Sequence, residues 1–277
     1  MSAVTQLYIY PIKSVMGIPQ HQAQVSFSGL LHDRRYMLID MEGKFITARQ
    51  FPALSLVHAL PSTTDVLTLT HQQMPESLIL RPSSFSDHYL STQIWGDDVA
   101  GRWVDQHADE WFSQLLNTPV KLVFFGDKSA RYTSRRPDQP VAFADGYPFL
   151  LANEASLGEL NRTALEQTDM RQFRPNIVVA ADTPFIEDSW HRIRIGTVEF
   201  ENVKPCVRCV FTTLNPQTAE RSPNGEPLRT LSKFRRWEKK GVTFGINLVA
   251  LNEGIIEQGD KVEVLTWREP EQYQDLR

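Results

Sequence analysis

Two cysteines separated by two residues, Cys206 and Cys209, are the side chains of this 277-residue chain best suited to redox or metal chemistry. Two thiols at this spacing could bind zinc, cycle as a redox pair, or give one thiolate to a metal cofactor. A structural zinc site needs about four ligands, and the chain has no further Cys and no His pair of the H-x3-5-H type. The remaining alternative is a pair of small core residues, because free Cys is commonly buried.

The residues around the cysteines are basic and strand-like. Lys204 and Arg208 put positive charge beside the sulfurs, and positive charge attracts anions. The β-branched and aromatic residues at 197–200 and 210–213 predict strands on both sides, not the strand-to-helix turn of a thioredoxin-like pair. This combination favours an anionic, metal-bearing ligand.

A second set of basic residues lies in the first fifty positions. Lys13 and Ser14 follow a predicted strand and could hold a phosphate, although an ordinary solvated loop would have the same composition. Arg34 and Arg49 are expected on neighbouring strands, with Asp33 placed to orient either guanidinium. Together with Lys13 they could form an anion clamp; the alternative is surface salt bridging.

Two later segments also carry polar groups beside predicted strands. Arg174 and Asn176 flank the rigid Pro175, so they could contact a heterocycle and a phosphate, or form a strand-end hydrogen-bond network. The turn Asp145-Gly146-Tyr147 could present backbone N–H groups to an anion, or could be a simple connection. The residues alone leave both pairs of alternatives open.

The elements that would position these residues are short. Repeated strands with turns every eight to twelve residues indicate a mostly β fold with few helices. Strands are predicted at residues 4–10, 22–27, 36–40, 44–49, 120–125, 177–180 and 244–250, with a hairpin turn at 96–98. Helices are predicted at residues 105–116, 154–165 and 228–237. The polar, basic segment 127–140 is expected to be an exposed loop or lid.

Composition excludes several classes of protein. The net charge of −4 argues against general nucleic-acid binding, which needs a basic surface. Two cysteines provide no disulfide framework, so a reducing cytoplasm is the expected compartment. No run approaches the roughly 20 apolar residues of a membrane helix, and no signal peptide is evident. A small-molecule ligand is therefore expected, with neither nucleic acid nor membrane as a partner.

Six short motifs follow one another along the chain. They are Tyr10-Pro11-Ile12-Lys13-Ser14, Asp33-Arg34, Thr47-Ala48-Arg49-Gln50-Phe51-Pro52, Phe173-Arg174-Pro175-Asn176, Pro205-Cys206-Val207-Arg208-Cys209 and Phe211-Thr212-Thr213. Together they resemble MOSC-domain proteins with an N-terminal MOSC β-barrel domain, in particular the bacterial YcbX-like branch that is related to the mitochondrial amidoxime-reducing component. The resemblance spans nearly the whole chain.

The resemblance implies a molybdenum cofactor, which is a pyranopterin dithiolene with a terminal phosphate. It implies that Cys209 gives its thiolate to molybdenum as metal ligand and catalytic residue, and that Cys206 is a neighbour. The positions that match the family's cofactor contacts are Lys13, Ser14, Arg34, Asp145, Gly146, Tyr147, Arg174, Asn176 and Arg208.

The resemblance also implies a mostly β fold with a few helices (α+β), made of two interlocked β-rich units. The expected division is an N-terminal MOSC β-barrel domain over residues 1–120 and a MOSC domain with the cysteine loop over residues 121–277. The cofactor is expected between the two units, because its implied contacts come from both halves of the chain.

The implied activity is reduction of N-hydroxylated compounds, such as hydroxylaminopurine-type bases and amidoximes. Many YcbX-like chains also carry a ferredoxin domain with four Cys for a [2Fe–2S] cluster. Two Cys cannot hold that cluster, so electrons are expected from a separate flavoprotein or ferredoxin-like donor. Two alternatives stay open: sulfur transfer through a persulfide on Cys209, and storage of the cofactor without turnover.

Overall fold

The structure is a computed structural model that describes residues 2–61, 66–237 and 240–277. In these residues the chain is mostly β with a few helices, which confirms the predicted fold class. The strands are β1 (Ala3–Ile9), β2 (Ile18–Gln20), β3 (Gln22–Ser26), β4 (Gly29–Leu30), β5 (Tyr36–Ile39), β6 (His58–Pro61), β7 (Leu67–Thr70), β8 (Leu78–Leu80), β9 (Tyr89–Ile94), β10 (Asp97–Trp103), β11 (Lys121–Phe124), β12 (Phe149–Asn153), β13 (Ile177–Ala180), β14 (Trp190–Ile195), β15 (Val198–Val207), β16 (Arg236–Trp237), β17 (Gly241–Ala250), β18 (Gly254–Glu257) and β19 (Val262–Trp267).

Helices are few and short. The α helices are α1 (Gln106–Leu116), α2 (Glu154–Thr163) and α3 (Leu228–Leu231). Single 3-10 turns occur at Pro52–Leu56, Pro82–Ser84, Met170–Phe173, Ile186–Ser189 and Val210–Thr213. In the described part of the chain, none of the helices has the length and apolar character needed to cross a membrane.

The first of two compact units contains Met1–Ile9, Pro19–Leu31 and Tyr147–Arg277. Its main sheet has the strand order β19-β14-β15-β17-β12-β13-β1-β2, and β16 also pairs with β17. β12 and β13 are parallel, whereas β15 and β17, the two ten-residue strands, pair antiparallel. A smaller sheet has the order β18-β3-β4. The core beneath the main sheet includes a stacked pair of rings, Phe173 and Phe244, whose centroids are 3.9 Å apart.

The second unit contains Tyr10–Ile18 and His32–Gly146. It holds an antiparallel sheet with the order β5-β11-β10-β9 and a three-stranded sheet with the order β6-β7-β8. Its hydrophobic cluster packs apolar side chains from β5, β10 and β11 against Phe143. Each unit is assembled from separate chain segments, and the division at about residue 120 made from the sequence stays a prediction.

Local signals in the sequence explain the two longer helices, which are confirmed. Asp105 accepts a hydrogen bond from the N–H of Ala108 at 2.7 Å and so caps the start of α1. Asn117, in the left-handed conformation, follows the last residue of this helix as its C-cap. Asn153 caps α2 through the N–H of Ala155. Caps of this kind satisfy N–H groups that have no partner within the helix.

One predicted strand in the second unit is wrong, and the turn of a predicted hairpin is displaced by one residue. Residues 44–49 form no strand: Lys44 and Phe45 make only isolated bridges, and the N–H of Gln50 turns back to the carbonyl of Thr47. The hairpin turn between β9 and β10 lies at Trp95–Gly96, because Asp97 pairs directly with Ile94. The hairpin itself is confirmed, and the acidic pair after Gly96 had suggested a turn at residues 96–98, one residue later.

The predicted helix over residues 228–237 is also wrong in length. It ends at Leu231, and Arg236 and Trp237 instead pair with the edge of β17 as β16. A buried ion pair contributes to the replacement of the helix by a strand: the Arg235 guanidinium donates to the Asp188 carboxylate at 2.6 Å. Tertiary partners therefore override the helical spacing of a short basic segment.

One buried carboxyl gives the first unit a pH dependence. Glu187 is fully buried, and it accepts hydrogen bonds from Ser156 Oγ at 2.8 Å and from Asn153 Nδ2 at 3.1 Å. Burial, and then the neighbouring Asp188, raise the pKa of Glu187 to about 7 from an ordinary value of 4.5. The unfolded chain therefore ionises at this residue at a lower pH than the folded chain does.

We expect Glu187→Gln to reduce the loss of stability between pH 4.5 and pH 7. In this window the unfolded wild-type chain releases a proton that the folded chain retains, so the contribution of Glu187 to folding falls as the pH rises. The variant should gain more than about 1 kcal/mol relative to wild type between pH 4.5 and pH 7.5. Urea unfolding at several pH values measures this gain, and a constant difference between the two proteins would contradict the assignment.

Candidate functional site

The cysteine segment lies at the end of a bulged strand in the first unit. β15 pairs with β17, but the register shifts between Pro205 and Val207, so Cys206 sits in an irregularity of the ladder. Proline donates no hydrogen bond to a sheet, and bulges re-aim side chains next to functional sites. Cys209 follows in an extended conformation, with φ of −117° and ψ of 175°.

The strand predicted after the cysteines is wrong, because Val210–Thr213 forms a 3-10 turn. Thr212 Oγ1 donates to the carbonyl of Cys209 at 2.9 Å, and Thr213 Oγ1 donates to the carbonyl of Val210 at 2.8 Å. Threonine side chains that bond to backbone three residues earlier offer the chain an alternative to the sheet ladder. β15 itself ends at Val207, and the 3-10 turn begins directly after Cys209.

The two sulfurs have different surroundings. Cys206 is half-buried, and its Sγ accepts a hydrogen bond from Arg208 Nη1 at 2.9 Å. Cys209 is exposed, so it is not one of a pair of core residues. Across the described residues no cluster of three or more His, Cys, Asp or Glu side chains could hold a metal ion.

Two arginines, Arg208 and Arg174, lie beside this segment. Arg208 Nη2 donates to the carbonyl of Phe173 at 2.5 Å, whereas its Nε is buried and has no hydrogen-bond partner among the described residues. Arg174 has φ of 55°, and its guanidinium lies 5.2 Å from the Phe211 ring centroid. A hydrogen bond from Gln172 to the carbonyl of Thr212 ties these two loops together.

Tyr147 and Asn176 belong to the same unit but have other neighbours. Tyr147 is buried, with Lys204 Nζ 5.3 Å from its ring centroid, and so packs against β15 just before the cysteines. Asn176 is 2% exposed. Its Oδ1 accepts from the N–H of Leu150, and its Nδ2 donates to the carbonyl of Tyr8. These bonds hold β12 and β1 in place, and contact of Asn176 with a cofactor stays a prediction.

In the second unit, Lys13 is buried among specific partners. Its Nζ donates to the carbonyl of Phe143 at 3.0 Å and to Asp145 Oδ1 at 2.5 Å. The ammonium also lies 5.6 Å from the Phe45 ring centroid. Burial lowers the pKa of Lys13, and the Asp145 carboxylate opposes that shift. The neighbouring Ser14 is also buried and has φ of 74°, so this segment is not the solvated loop that its composition allowed.

Arg34 is held at the same end of the second unit. Its Nη1 lies 2.6 Å from both carboxylate oxygens of Asp33, and its guanidinium stacks 4.1 Å from the Tyr10 ring centroid. Asp33 also accepts from the N–H of Tyr10 at 2.7 Å. Arg34 lies in a turn before β5, not on a strand as predicted. Arg49 likewise lies outside any strand, and the anion clamp stays a prediction.

A buried arginine builds the turn at Asp145 and Gly146. Arg131 donates to the carbonyls of Ala142, Ala144 and Asp145, and its Nε donates to Asp97. Sequence reasoning missed this role, because the basic segment 127–140 suggested an exposed loop. A Cβ added at Gly146 would meet nothing within 4 Å, which leaves open space at the turn.

The Asp145 carboxylate stays ionised in this arrangement. The surrounding protein displaces part of the water around the carboxylate and so tends to raise the pKa of Asp145, but the Lys13 ammonium and the indole N–H of Trp95 outweigh this effect and hold that pKa well below its ordinary value. The side chain is 71% exposed, so solvent screens part of the attraction.

These features fit an anionic cofactor that brings its own metal. In the first unit, the cysteine segment offers an exposed thiol, two arginines and the buried Arg208 Nε, which has no hydrogen-bond partner in the described part of the chain. The second unit offers a buried lysine, an arginine and an open glycine turn. Guanidinium and ammonium groups bind phosphate, and a thiolate is a soft ligand for a heavy metal.

Comparison with known proteins gives matches along most of the chain. The MOSC N-terminal beta barrel domain matches residues 1–119, and the MOSC domain matches residues 138–263. The chain is 34% identical over 286 residues to mitochondrial amidoxime-reducing component 1 of Homo sapiens, covering 96% of this chain and 83% of that protein. It is 33% identical over 280 residues to mitochondrial amidoxime reducing component 2 of Homo sapiens, covering 95% and 83%.

A solved structure of low identity aligns over the same extent. The YUAD protein from Bacillus subtilis is 11% identical, with a TM-score of 0.45 and coverage of 95% of each chain. The domain matches and the curated relatives are sufficient by themselves to identify the family. The chain belongs to the family of MOSC-domain proteins that includes the mitochondrial amidoxime-reducing components.

Proposed function

We propose that this protein reduces N-hydroxylated compounds, such as amidoximes and hydroxylaminopurine-type bases, with a molybdenum cofactor whose protein ligand is Cys209. The observation that carries the proposal is the exposed Cys209 thiol, in a chain whose curated relatives are named for amidoxime reduction. Two arginines lie in the same region: Arg208 donates to Cys206 Sγ, and Arg174 lies 5.2 Å from the Phe211 ring centroid. Electrons are proposed to come from a separate flavoprotein or ferredoxin-like donor.

The residues have separate roles in this proposal. Arg174 and Arg208 would bind the cofactor's anionic groups in the first unit, and Lys13, Ser14 and Arg34 would do so in the second. Phe173 and Asp33 keep two of these cations in fixed positions. Preorganised cations avoid most of the cost of ordering long side chains when the ligand binds.

The reaction takes up two electrons and two protons, breaks the N–O bond, and releases an amine or amidine and water. When bound, the cofactor would supply the two-electron chemistry. Asp145 carries its charge beside Lys13 and Trp95. In this position the carboxylate can hold the protonated, cationic amidine product by charge-assisted hydrogen bonds.

We expect protein made in molybdate-fed cells to contain about one molybdenum atom per chain and to convert benzamidoxime to benzamidine. Reduced methyl viologen serves as the electron source, so the result does not depend on finding the protein donor. Metal analysis and chromatography of the product provide the two measurements.

Two other outcomes would favour the alternatives. Metal-free protein with an adduct of about +32 Da on Cys209 would indicate a persulfide and sulfur transfer. Full cofactor loading without any reduction of benzamidoxime or hydroxylaminopurine would indicate a cofactor-storage protein. Either result contradicts the proposed reductase.

A further inference from the structure

The second unit contains a cavity of about 430 Å³ whose walls combine aromatic rings with polar groups. The Phe45 and Trp95 rings lie 5.0 Å apart at an angle of 51°. The Arg49 guanidinium lies 4.5 Å from the Trp95 ring centroid, and Gln50 and Gln93 also line the cavity. Small-molecule sites measure roughly 300–1,000 Å³ and pair apolar surface with a few polar groups. The cavity therefore suits a planar molecule of the size of one or two rings.

The backbone at Trp95 points to a role for its side chain. Trp95 and Gly96 form the two-residue turn between β9 and β10, with φ of 53° and 93°. Such turns prefer Asn-Gly or Asp-Gly, because a larger side chain is strained at positive φ. The ring is also 49% exposed, so burial recovers only part of that strain. An unfavourable backbone position that keeps a half-exposed aromatic ring is typical of a binding site.

The cavity adjoins residues already placed in the proposed cofactor site. The Trp95 indole N–H donates to Asp145 Oδ1 at 3.2 Å, and the same oxygen accepts from Lys13 Nζ. Lys13 and Arg49 lie on the same Phe45 ring, 5.6 and 5.9 Å from its centroid. A molecule in the cavity would therefore reach Asp145 at one edge.

We propose that this cavity binds the planar ring of the N-hydroxylated substrate, with Trp95 and Phe45 as its stacking surface. Arg49 and the Gln50 amide donate hydrogen bonds, so ring nitrogens and other acceptor atoms are favoured at its edge. The inference rests on the proposed function for the identity of the reacting group. Binding of the ring requires no turnover and can be measured by itself.

The test compares two amidoximes that differ only in the ring. Benzamidoxime carries a phenyl ring, and acetamidoxime carries a methyl group in its place. Calorimetric titration of the full chain without an electron donor gives both dissociation constants. We expect wild type to bind benzamidoxime about tenfold more tightly than acetamidoxime, and Trp95→Asn to bring the two affinities to within about twofold. Trp95→Phe, which keeps a ring, should retain most of the preference.

Trp95→Asn is expected to remain folded, because asparagine suits the turn, and its thermal midpoint checks this. A matched control is Trp267→Thr, which removes another exposed indole from the end of β19 in the first unit and should leave the preference unchanged.

Equal affinities in wild type, or a preference that survives in Trp95→Asn, would overturn the proposal. Viologen-driven reduction of both amidoximes without a difference in affinity means that the function holds and this inference fails. If the protein prefers benzamidoxime but reduces neither amidoxime, the inference about the ring holds and the proposed function fails.

Discussion

Replacing Cys209 with alanine is expected to remove the molybdenum and the activity while leaving the fold intact. The metal content should fall from about one atom per chain to less than about a tenth of that. Loss of a group that merely supports a metal ligand costs about 10–100-fold in affinity, and loss of the ligand itself should cost at least as much. The Cys209 side chain is exposed and caps no helix, and only its carbonyl is used by Thr212. The thermal midpoint should therefore stay within about 2 °C of wild type.

Cys206→Ala is the matched control for this prediction. The Cys206 sulfur is half-buried and accepts a hydrogen bond from Arg208, so the variant should lose some stability but keep its metal. Metal retained in Cys209→Ala and lost in Cys206→Ala would mean that the two sulfurs have the opposite roles. Metal lost from both variants at unchanged thermal midpoints would contradict a single protein ligand.

The sequence predicted most of the elements because their signals are local. Asp105 and Asn153 are caps within three residues of the N–H groups that they satisfy. The strand at Ile177–Ala180 begins with three buried β-branched residues and was predicted at its observed ends. One of the segments predicted wrongly depends on a distant partner. Arg236 and Trp237 follow a helical pattern in the sequence but pair with β17, a contact that the pattern cannot contain.

The same distinction applies to the candidate site. Arg208 lies two residues from Cys206, and the motif indicated their contact. Lys13 and Asp145 were each singled out from the sequence as candidate anion contacts, but their pairing joins residues 132 positions apart and was not predicted. Arg131 was taken for part of an exposed loop, although it is buried and holds three carbonyls. A charge run does not reveal which one of its members turns inward.

Backbone conformation at single residues is the feature of this structure that was hardest to predict from the sequence. Among the described residues, eight residues other than glycine have positive φ, and they include Ser14, Arg34, Arg174 and Trp95. Strained backbone of this kind is concentrated at functional sites, where the surrounding structure holds it. Three of these four residues had been selected from motifs. Trp95 was missed, although a bulky residue before Gly96 in a two-residue turn was a usable signal.

Replacing Gly245 with alanine is expected to lower the free energy of unfolding by about 2–5 kcal/mol. Gly245 lies in β17 with φ of 73°, and an added Cβ would stand 2.6 Å from the carbonyl oxygen of Leu151 on β12. Positive φ costs an alanine about 1–2 kcal/mol, and forcing an atom into a packed interior adds about 1–3 kcal/mol. Because the contact is with backbone, no side-chain rotation relieves it. Urea unfolding of the variant and wild type measures the loss.

Gly225→Ala separates the two causes of this loss. Gly225 also has φ of 73°, but a Cβ at this position would meet nothing within 4 Å. The strain on the backbone is then the same while the steric contact is absent, so this variant should lose only about 1–2 kcal/mol. The difference between the two variants measures how closely β12 and β17 approach each other. If both variants lost the same free energy, the close approach at Leu151 would be contradicted, and with it the packing of the strand that pairs with the cysteine-bearing β15.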